Sequence, residues 1–434
     1  MSDQQAQQAP TTNVTPTQTN EEPSRWHRMF REITTGSAII SVLAVVLALL
    51  VGAVMIAFTN KEVQATAVYF FARPGDTFIA IWDSVSGAYS ALFQGSIYNF
   101  RRPGFADGIK PLTATLTFAT PLIAAGLGVA LGFRVGLFNI GGRGQMLMAA
   151  ALGGWAGFAL DLPPVLHMIV ALVIGIMAGA LWGGIVGLLK ARTGAHEVIT
   201  TIMLNYVAFY LVSYWLREGF LKTPGSNNPK SPATDPNAVF PDLFGPGYNL
   251  HFGFILVIGA TFFVWWLLSK SSLGFKFRAV GENPNAARVA GIDVPNMYIL
   301  AMLIAGALVG LAGVNQVLGT VTTGFTAGID AGIGFDAITV ALLGRSTPWG
   351  VFAAGILFGA FKAGGFSMQA AEQIPVEIIT VVQALIVLLI AAPPLVRTIF
   401  FLPSPEKDAR RRAKARDKQV KAAASADEIP VVSQ

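Results

Sequence analysis

Four stretches of this 434-residue chain, 112–133, 146–160, 198–216 and 297–329, contain no Asp, Glu, Lys or Arg. An α-helix needs about 20 apolar residues to cross the ~30 Å hydrocarbon core of a bilayer, and runs of this kind approach or exceed that length. They are continuously apolar rather than alternating, so they predict helices and not the strands of a barrel. Composition agrees. Charged residues make up 12% of the chain, about half the ~25% of a soluble domain, and hydrophobic residues 53%. The fold class is therefore all-α, a polytopic membrane helical bundle. Its 46 glycines suit close helix–helix approach. The absence of cysteine excludes disulfides, thiolate zinc sites and thiol catalysis. The net charge of +6 comes largely from tails and polar loops and reads as a topology signal, not a nucleic-acid surface.

Taken in order, residues 1–36 form a cytoplasmic N-terminal tail. Residues 1–24 are rich in Gln, Thr, Asn and Pro and are expected to be disordered. They lack the charged start and small-residue cleavage site of a signal peptide. Arg25, Arg28 and Arg31 then precede a first span at 37–58 and place the N-terminus inside. Residues 37–111 hold this span and an external or interfacial segment, with 78–93 expected along the interface. That segment carries Lys61, Arg73, Arg101, Arg102 and Lys110, against the positive-inside bias. The core, 112–400, reads as further spans at 112–133, 146–160, 165–189, 198–216, 252–268, 297–318, 335–343, 350–366 and 374–400. The Pro-, Asn- and Gly-rich loop 218–250 has only Lys222 and Lys230 as basic residues and is placed outside. Residues 401–434 form a charged cytoplasmic tail. About ten spans result, with both termini inside. Short or glycine-interrupted segments near Asn139 and at 319–343 fit broken helices beside a transport path. They fit tight packing on small residues equally well.

One polar stretch, 274–294, lies between two apolar runs and is too patterned for a slack linker; it belongs to a cytoplasmic segment at 270–296. Gly281-Glu282-Asn283-Pro284 reads as a turn, with Asn283 as a helix cap and Pro284 at the first helical position. Residues 285–290 supply one and a half turns of small-residue helix, and Gly291 stops it. A short capped helix at a membrane surface suits docking into a groove on a soluble partner. The same residues would also serve as an ordinary loop with a helical turn.

The missing chemistry narrows the function. There is no G-x-x-x-x-G-K-[ST] phosphate loop, so the chain has no ATP-hydrolysing P-loop of its own. His196-Glu197 begins like a zinc-protease helix, but Thr200 stands where a second His is required. No catalytic residue, metal site or cofactor is assigned. Ion-coupled carriers need ionisable groups at depth, and the span cores are nearly free of them. What lies at depth is neutral: Asn139, Gln145, Asn205, Asn315 and Gln316, with the aromatic Tyr206. As a set these pathway candidates suit an uncharged polar solute. Singly, each Asn or Gln is better explained as a hydrogen bond between helices.

Four motifs, in order, carry a resemblance to one family. GLFNIGGRGQ (136–145), EVITTIMLNY (197–206), LGFKFRAVGENPNAARVAGI (273–292) and ITVALLGRSTPWG (338–350) resemble the permease subunits of ABC importers for nucleosides and simple sugars. These lie within the wider branched-chain amino acid and ribose permease group, and the resemblance covers about 112–393. The second motif points to the nucleoside branch. The resemblance implies a multi-pass permease of a prokaryotic plasma membrane that carries a nucleoside or related ribose-containing solute. It also implies a separate ATPase subunit, a second permease subunit and an extracytoplasmic solute-binding protein. Gly281, Asn283, Pro284, Ala286, Ala287, Arg288 and Gly291 match the coupling helix that meets the ATPase. The family commonly has an acidic residue where Arg143 stands. An ABC permease for a simple sugar or a branched-chain amino acid is the alternative. A self-sufficient carrier for a neutral polar solute is the alternative of another class, and a membrane-embedded enzyme ranks last. Partners beyond protein are membrane lipid and the solute, with no nucleic acid.

Overall fold

The apolar runs form helices, and the breaks between them fall at Pro, Gly and capping residues. In a computed structural model, which describes residues 37–245 and 247–400, the chain opens with α1 (Ser37–Thr59), α2 (Lys61–Ala67), α3 (Pro74–Ser96) and α4 (Gly104–Gly108). Next come α5 (Lys110–Arg134), α6 (Gly142–Ala159), α7 (Leu166–Thr193) and α8 (Glu197–Glu218). After a long loop follow α9 (Gly253–Lys270), α10 (Ser272–Glu282), α11 (Pro284–Val289) and α12 (Val294–Asn315). A wide π-turn at Gln316–Thr320 leads into irregular chain. The last helices are α13 (Ile333–Leu343), α14 (Pro348–Glu372), α15 (Glu377–Ala391) and α16 (Pro393–Ile399). The expected disorder at 1–24, the arginines at 25, 28 and 31, and the tail 401–434 lie outside the described residues.

Among the described residues, seven helices are long and apolar enough to cross a membrane, and α13 and α15 are shorter apolar helices. Leu43–Pro393 forms one compact unit; the other unit contributes 37–42 and 394–400 among the described residues. The expected single segment 374–400 is interrupted. Ala392 leaves the helical region, with φ −116° and ψ 66°, just before Pro393, because a following proline ring disfavours the α conformation. The expected interruption at 319–343 is present as the π-turn, the irregular residues 321–332 and the short α13. Residues 78–93 belong to α3, which lays a stripe of Ala80, Ser84, Ala88 and Ala91 toward its neighbours and packs on α14.

Within the larger unit, α7 and α12 make the most extensive helix pair. Lipid tails are as apolar as leucine, so helices in a bilayer associate through close packing rather than hydrophobic exclusion. Here glycines permit it. A Cβ on Gly179 would lie 2.6 Å from both the Gly306 carbonyl oxygen and the Gly310 Cα. A Cβ on Gly183 would lie 2.6 Å from the Met302 carbonyl oxygen. At the centre stands α5, buried without interruption from Ala119 to Gly132, against α12, α13 and α14.

The long loop is not loose. Ser231 N–H donates to Phe325 O at 3.0 Å, Thr234 N–H to Thr322 O at 2.8 Å and Phe240 N–H to Leu318 O at 2.8 Å. Asp235 N–H reaches Gly157 O at 2.8 Å. The loop is therefore tied both to the end of α6 and to the segment that follows α12.

Candidate functional site: a cavity and a motif corner

A cavity of about 660 Å³ opens between α5, the 320–333 segment, α14 and α15. That is within the ~300–1,000 Å³ range of small-molecule sites. Its polar lining includes Thr117, Gln316, Thr320, Thr380 and Gln383, and its rings are Phe118, Phe325 and Phe366. Two charged residues line it among the described residues, Asp336 of α13 and Lys362 of α14. They form an ion pair at 2.8 Å, so the wall carries no net charge. Gln383 is buried and its Nε2 has no hydrogen-bond partner among the described residues. A buried donor left free beside a void is costly unless something enters to accept from it.

His251 ties the long loop to this wall. Gly253 N–H donates to its Nδ1 at 3.2 Å. Nδ1 is then the acceptor, so the ring proton sits on Nε2, which faces Thr320 Oγ1 at 3.4 Å. Burial pushes the imidazole pKa down to about 4, because the charged ring is poorly solvated there.

The neutral residues singled out from the sequence distribute unevenly. Gln316 lines the cavity. Asn139 and Gln145 exchange amide hydrogen bonds at 3.3 and 3.2 Å, and Asn139 Oδ1 accepts from Gly141 N–H at 3.0 Å. Asn205 accepts from Gly144 N–H at 2.7 Å and donates to Ile140 O at 2.9 Å. Asn315 donates to Leu311 O of its own helix at 2.8 Å. Tyr206 points outward with Tyr210 and Tyr214, in an exposed stripe on α8. Asp336, Lys362, Thr380 and Gln383 were not singled out. The available signal was one acid and one base, each alone in consecutive apolar segments, since charges at depth pair with one another.

A second feature lies at the turn between α5 and α6. Gly136, with φ +76°, faces Gly281, where a Cβ would collide with the Arg134 carbonyl. Arg134 Nε donates to Ser346 O at 2.9 Å. Phe138 N–H reaches Glu197 Oε1 at 3.4 Å, and Glu197 Oε2 pairs with Lys190 at 2.5 Å. All four sequence motifs thus meet at one corner. From this corner α10 and α11 project. Ser271 caps α10 through Gly274 N–H at 2.9 Å, and Phe277 and Val280 bury its inner face. Asn283 caps α11, accepting from Asn285 N–H at 3.0 Å and Ala286 N–H at 3.1 Å, with Pro284 at the first helical position. Gly291, at φ +80°, ends the turn. Of α11 only Ala287 is buried; Arg288 is exposed against Asn285 at 3.1 Å, and Val289 is 92% exposed. Arg143, nearby, pairs with Asp330 at 3.3 Å and lies 4.9 Å over the Phe209 ring.

Residues 112–391, the helices that build the cavity and the corner, match the family described as branched-chain amino acid transport system / permease component. The chain belongs to this permease family. It is 37% identical to the guanosine ABC transporter permease protein NupP of Bacillus subtilis, over 73% of this chain and 88% of that protein. It is 36% identical to the nucleoside ABC transporter permease protein NupB of Lactococcus lactis, over 65% of this chain and 79% of that one. Identity is also 36% with the glucose ABC transporter permease protein TsgB13 of Haloferax volcanii, over 64% and 75%. No solved structure matches. The resemblance read from four motifs is borne out, and the chain is an ABC permease component: a multi-pass transport subunit of the cytoplasmic membrane, not an enzyme. Membership of this permease family implies an ATPase and further transporter components. The match begins at α5, so α1 to α4 lie outside it.

Proposed function

We propose that this permease carries nucleosides, or related ribose-containing solutes, inward through the cavity between α5, α13, α14 and α15. The observation that carries the reading is the wall itself: apolar surface and rings with a few polar groups set among them, of solute size, and neutral because Asp336 and Lys362 compensate each other. An uncharged hydrophilic molecule needs hydrogen bonds there but no counter-charge. Two relatives named for guanosine and nucleoside transport support the base; TsgB13, named for glucose, supports a simple sugar as the second reading.

In this proposal Gly281, Asn283, Pro284, Ala286, Ala287, Arg288 and Gly291 meet the ATPase, and the exposure of α11 beside the motif corner supports that role. The force comes from ATP at the partner, which must favour one permease state over the other. A second permease and an extracytoplasmic binding protein complete the importer. Ten crossing segments with both termini inside agree with the gathering of 134–138, 190–197, 270–291 and 344–350 on one face. Arg143, paired with Asp330, stands in for the family's acidic residue as a structural ion pair.

Uptake of labelled adenosine, guanosine, uridine, ribose and leucine, in cells with and without the gene, tests the reading. ATP-dependent loss of nucleoside uptake is expected. Loss of ribose or leucine uptake alone would overturn the solute, and dependence on the proton gradient alone would overturn the ATP-driven mechanism. Arg288→Glu is expected to uncouple ATP hydrolysis from uptake with membrane insertion intact.

A further inference from the structure

We infer that Phe118 and Phe366 form the gate through which a solute passes into the central cavity. The inference rests on the reading of that cavity as the transport path. A second cavity, of about 490 Å³, lies beside the end of the long loop and is lined by Gln94, Asn99, Arg102, Lys110 and Asn249. Lys110 is paired there with Asp107 at 2.5 Å. Two residues line both cavities, Phe118 of α5 and Phe366 of α14. Their rings touch, with centroids 5.8 Å apart and planes at 32°. An apolar partition thus stands between two chambers that each carry polar groups.

The physical consequence follows from wetting. A constriction made of touching apolar rings excludes water and polar solutes even where polar groups lie on either side of it. When the rings part they present two π-faces, to which the edge or face of a planar base is attracted. The backbones that carry the rings are held. Thr117 Oγ1 donates to Asn249 O at 2.7 Å on the α5 side. On the α14 side Gly364 is packed against Leu92 of α3, with no room for a Cβ. The side chains retain freedom: Phe366 is 53% exposed. Opening is therefore a rotation of rings about their own bonds, a change that needs no sliding of α5 on α14.

The chain contains no cysteine, so introduced thiols are unique within it. In the assembled transporter, with cysteines of the other components replaced, the Phe118→Cys/Phe366→Cys variant is treated with a short, reducible, bifunctional thiol reagent. Cross-linking is expected to lower uptake by about tenfold or more, and reduction to restore it. A cross-linked transporter with undiminished uptake overturns the gate, as does failure of the two thiols to be bridged. Should the cysteine pair be inactive before treatment, the Phe118→Ala/Phe366→Ala variant decides. It is expected to leak labelled solute into proteoliposomes with the ATPase blocked by vanadate, and a sealed membrane overturns the proposal. If the unmodified transporter takes up a sugar and no nucleoside, the solute reading fails, and the same experiment, run with that sugar, still judges the gate.

Discussion

At the motif corner, buried amides satisfy each other and the backbone: Asn139 with Gln145, Asn205 with Gly144 and Ile140. At the cavity wall, Gln383 keeps a donor without a partner among the described residues, and Asp336 and Lys362 hold each other beside open space. The residue types overlap, but their surroundings differ. At the corner the chain folds back on itself through Gly136 and Gly281, and Asn139 and Asn205 bond the backbone there. At the wall α5 and α14 also pack closely, but the side chains named there border a void. A polar residue in an apolar run is thus no sign of a path until it is known to face a void. The corner amides are held by hydrogen bonds, while polar groups at the wall border open space.

The largest expected effect breaks the tightly packed side of this comparison. Gly306→Leu would drive a side chain into the α7 backbone at Gly179. Overpacking a core costs about 1–3 kcal/mol, more where backbone is the obstacle. Little monodisperse protein should be recovered from membranes. Thr380→Val at the wall should be recovered at the normal yield. Equal yields would mean that the two regions are not packed as differently as they look.

Next comes Asn205→Ala, which strands Gly144 N–H and Ile140 C=O. Each unsatisfied buried group costs about 1–3 kcal/mol, so thermal stability in detergent should fall clearly. Gln316→Ala should leave stability nearly unchanged and raise the KM for uptake instead. The opposite pattern would exchange the roles assigned to the two amides.

The ion pair sharpens the wall's side of the comparison. Asp336→Asn or Lys362→Gln alone leaves an unbalanced charge in an apolar setting. Uptake should drop roughly tenfold in each, and the double variant should recover much of it. A double variant as poor as either single would show that one of these groups acts on the solute directly, rather than through the other.

How much was legible follows from where each signal lives. The helical class was readable because charge-free runs are a property of the chain alone. So was α11, since Asn283, Pro284 and Gly291 are local start and stop signals. The helix α10 was not. Its buried face, Gly274, Phe277 and Val280, is interleaved with Lys276, Arg278 and an outward Phe275, and only the packing on α9 and α12 separates the two faces. Gln316, named from the sequence, lines the cavity, but Asn139, Asn205 and Asn315, named on the same ground, hydrogen-bond the backbone. Helix rotation decides between these outcomes, and composition does not encode it. Asp336 and Lys362 escaped because they sit in different helices, and their pairing exists only once α13 lies beside α14.

His251 offers the finest test, because it is buried and bonded to backbone like the corner amides while it touches the wall. Its folded pKa is depressed to about 4 from an ordinary 6.5. The fold therefore favours the neutral ring. Its contribution to stability is complete above pH 6.5 and is lost as pH falls from there toward 4, since the unfolded chain takes up the proton first. Between pH 7.5 and 6 the loss amounts to somewhat under about 1 kcal/mol, a degree or two in melting temperature. His251→Gln should be less stable at pH 7.5 but lack that pH-dependent fall. Uptake, by contrast, should show no histidine-like transition over this range, because the ring stays neutral in the folded protein throughout. A transition near pH 6.5 that disappears in His251→Gln would mean that the ring is solvated during the transport cycle, and that the loop it anchors opens with the cavity.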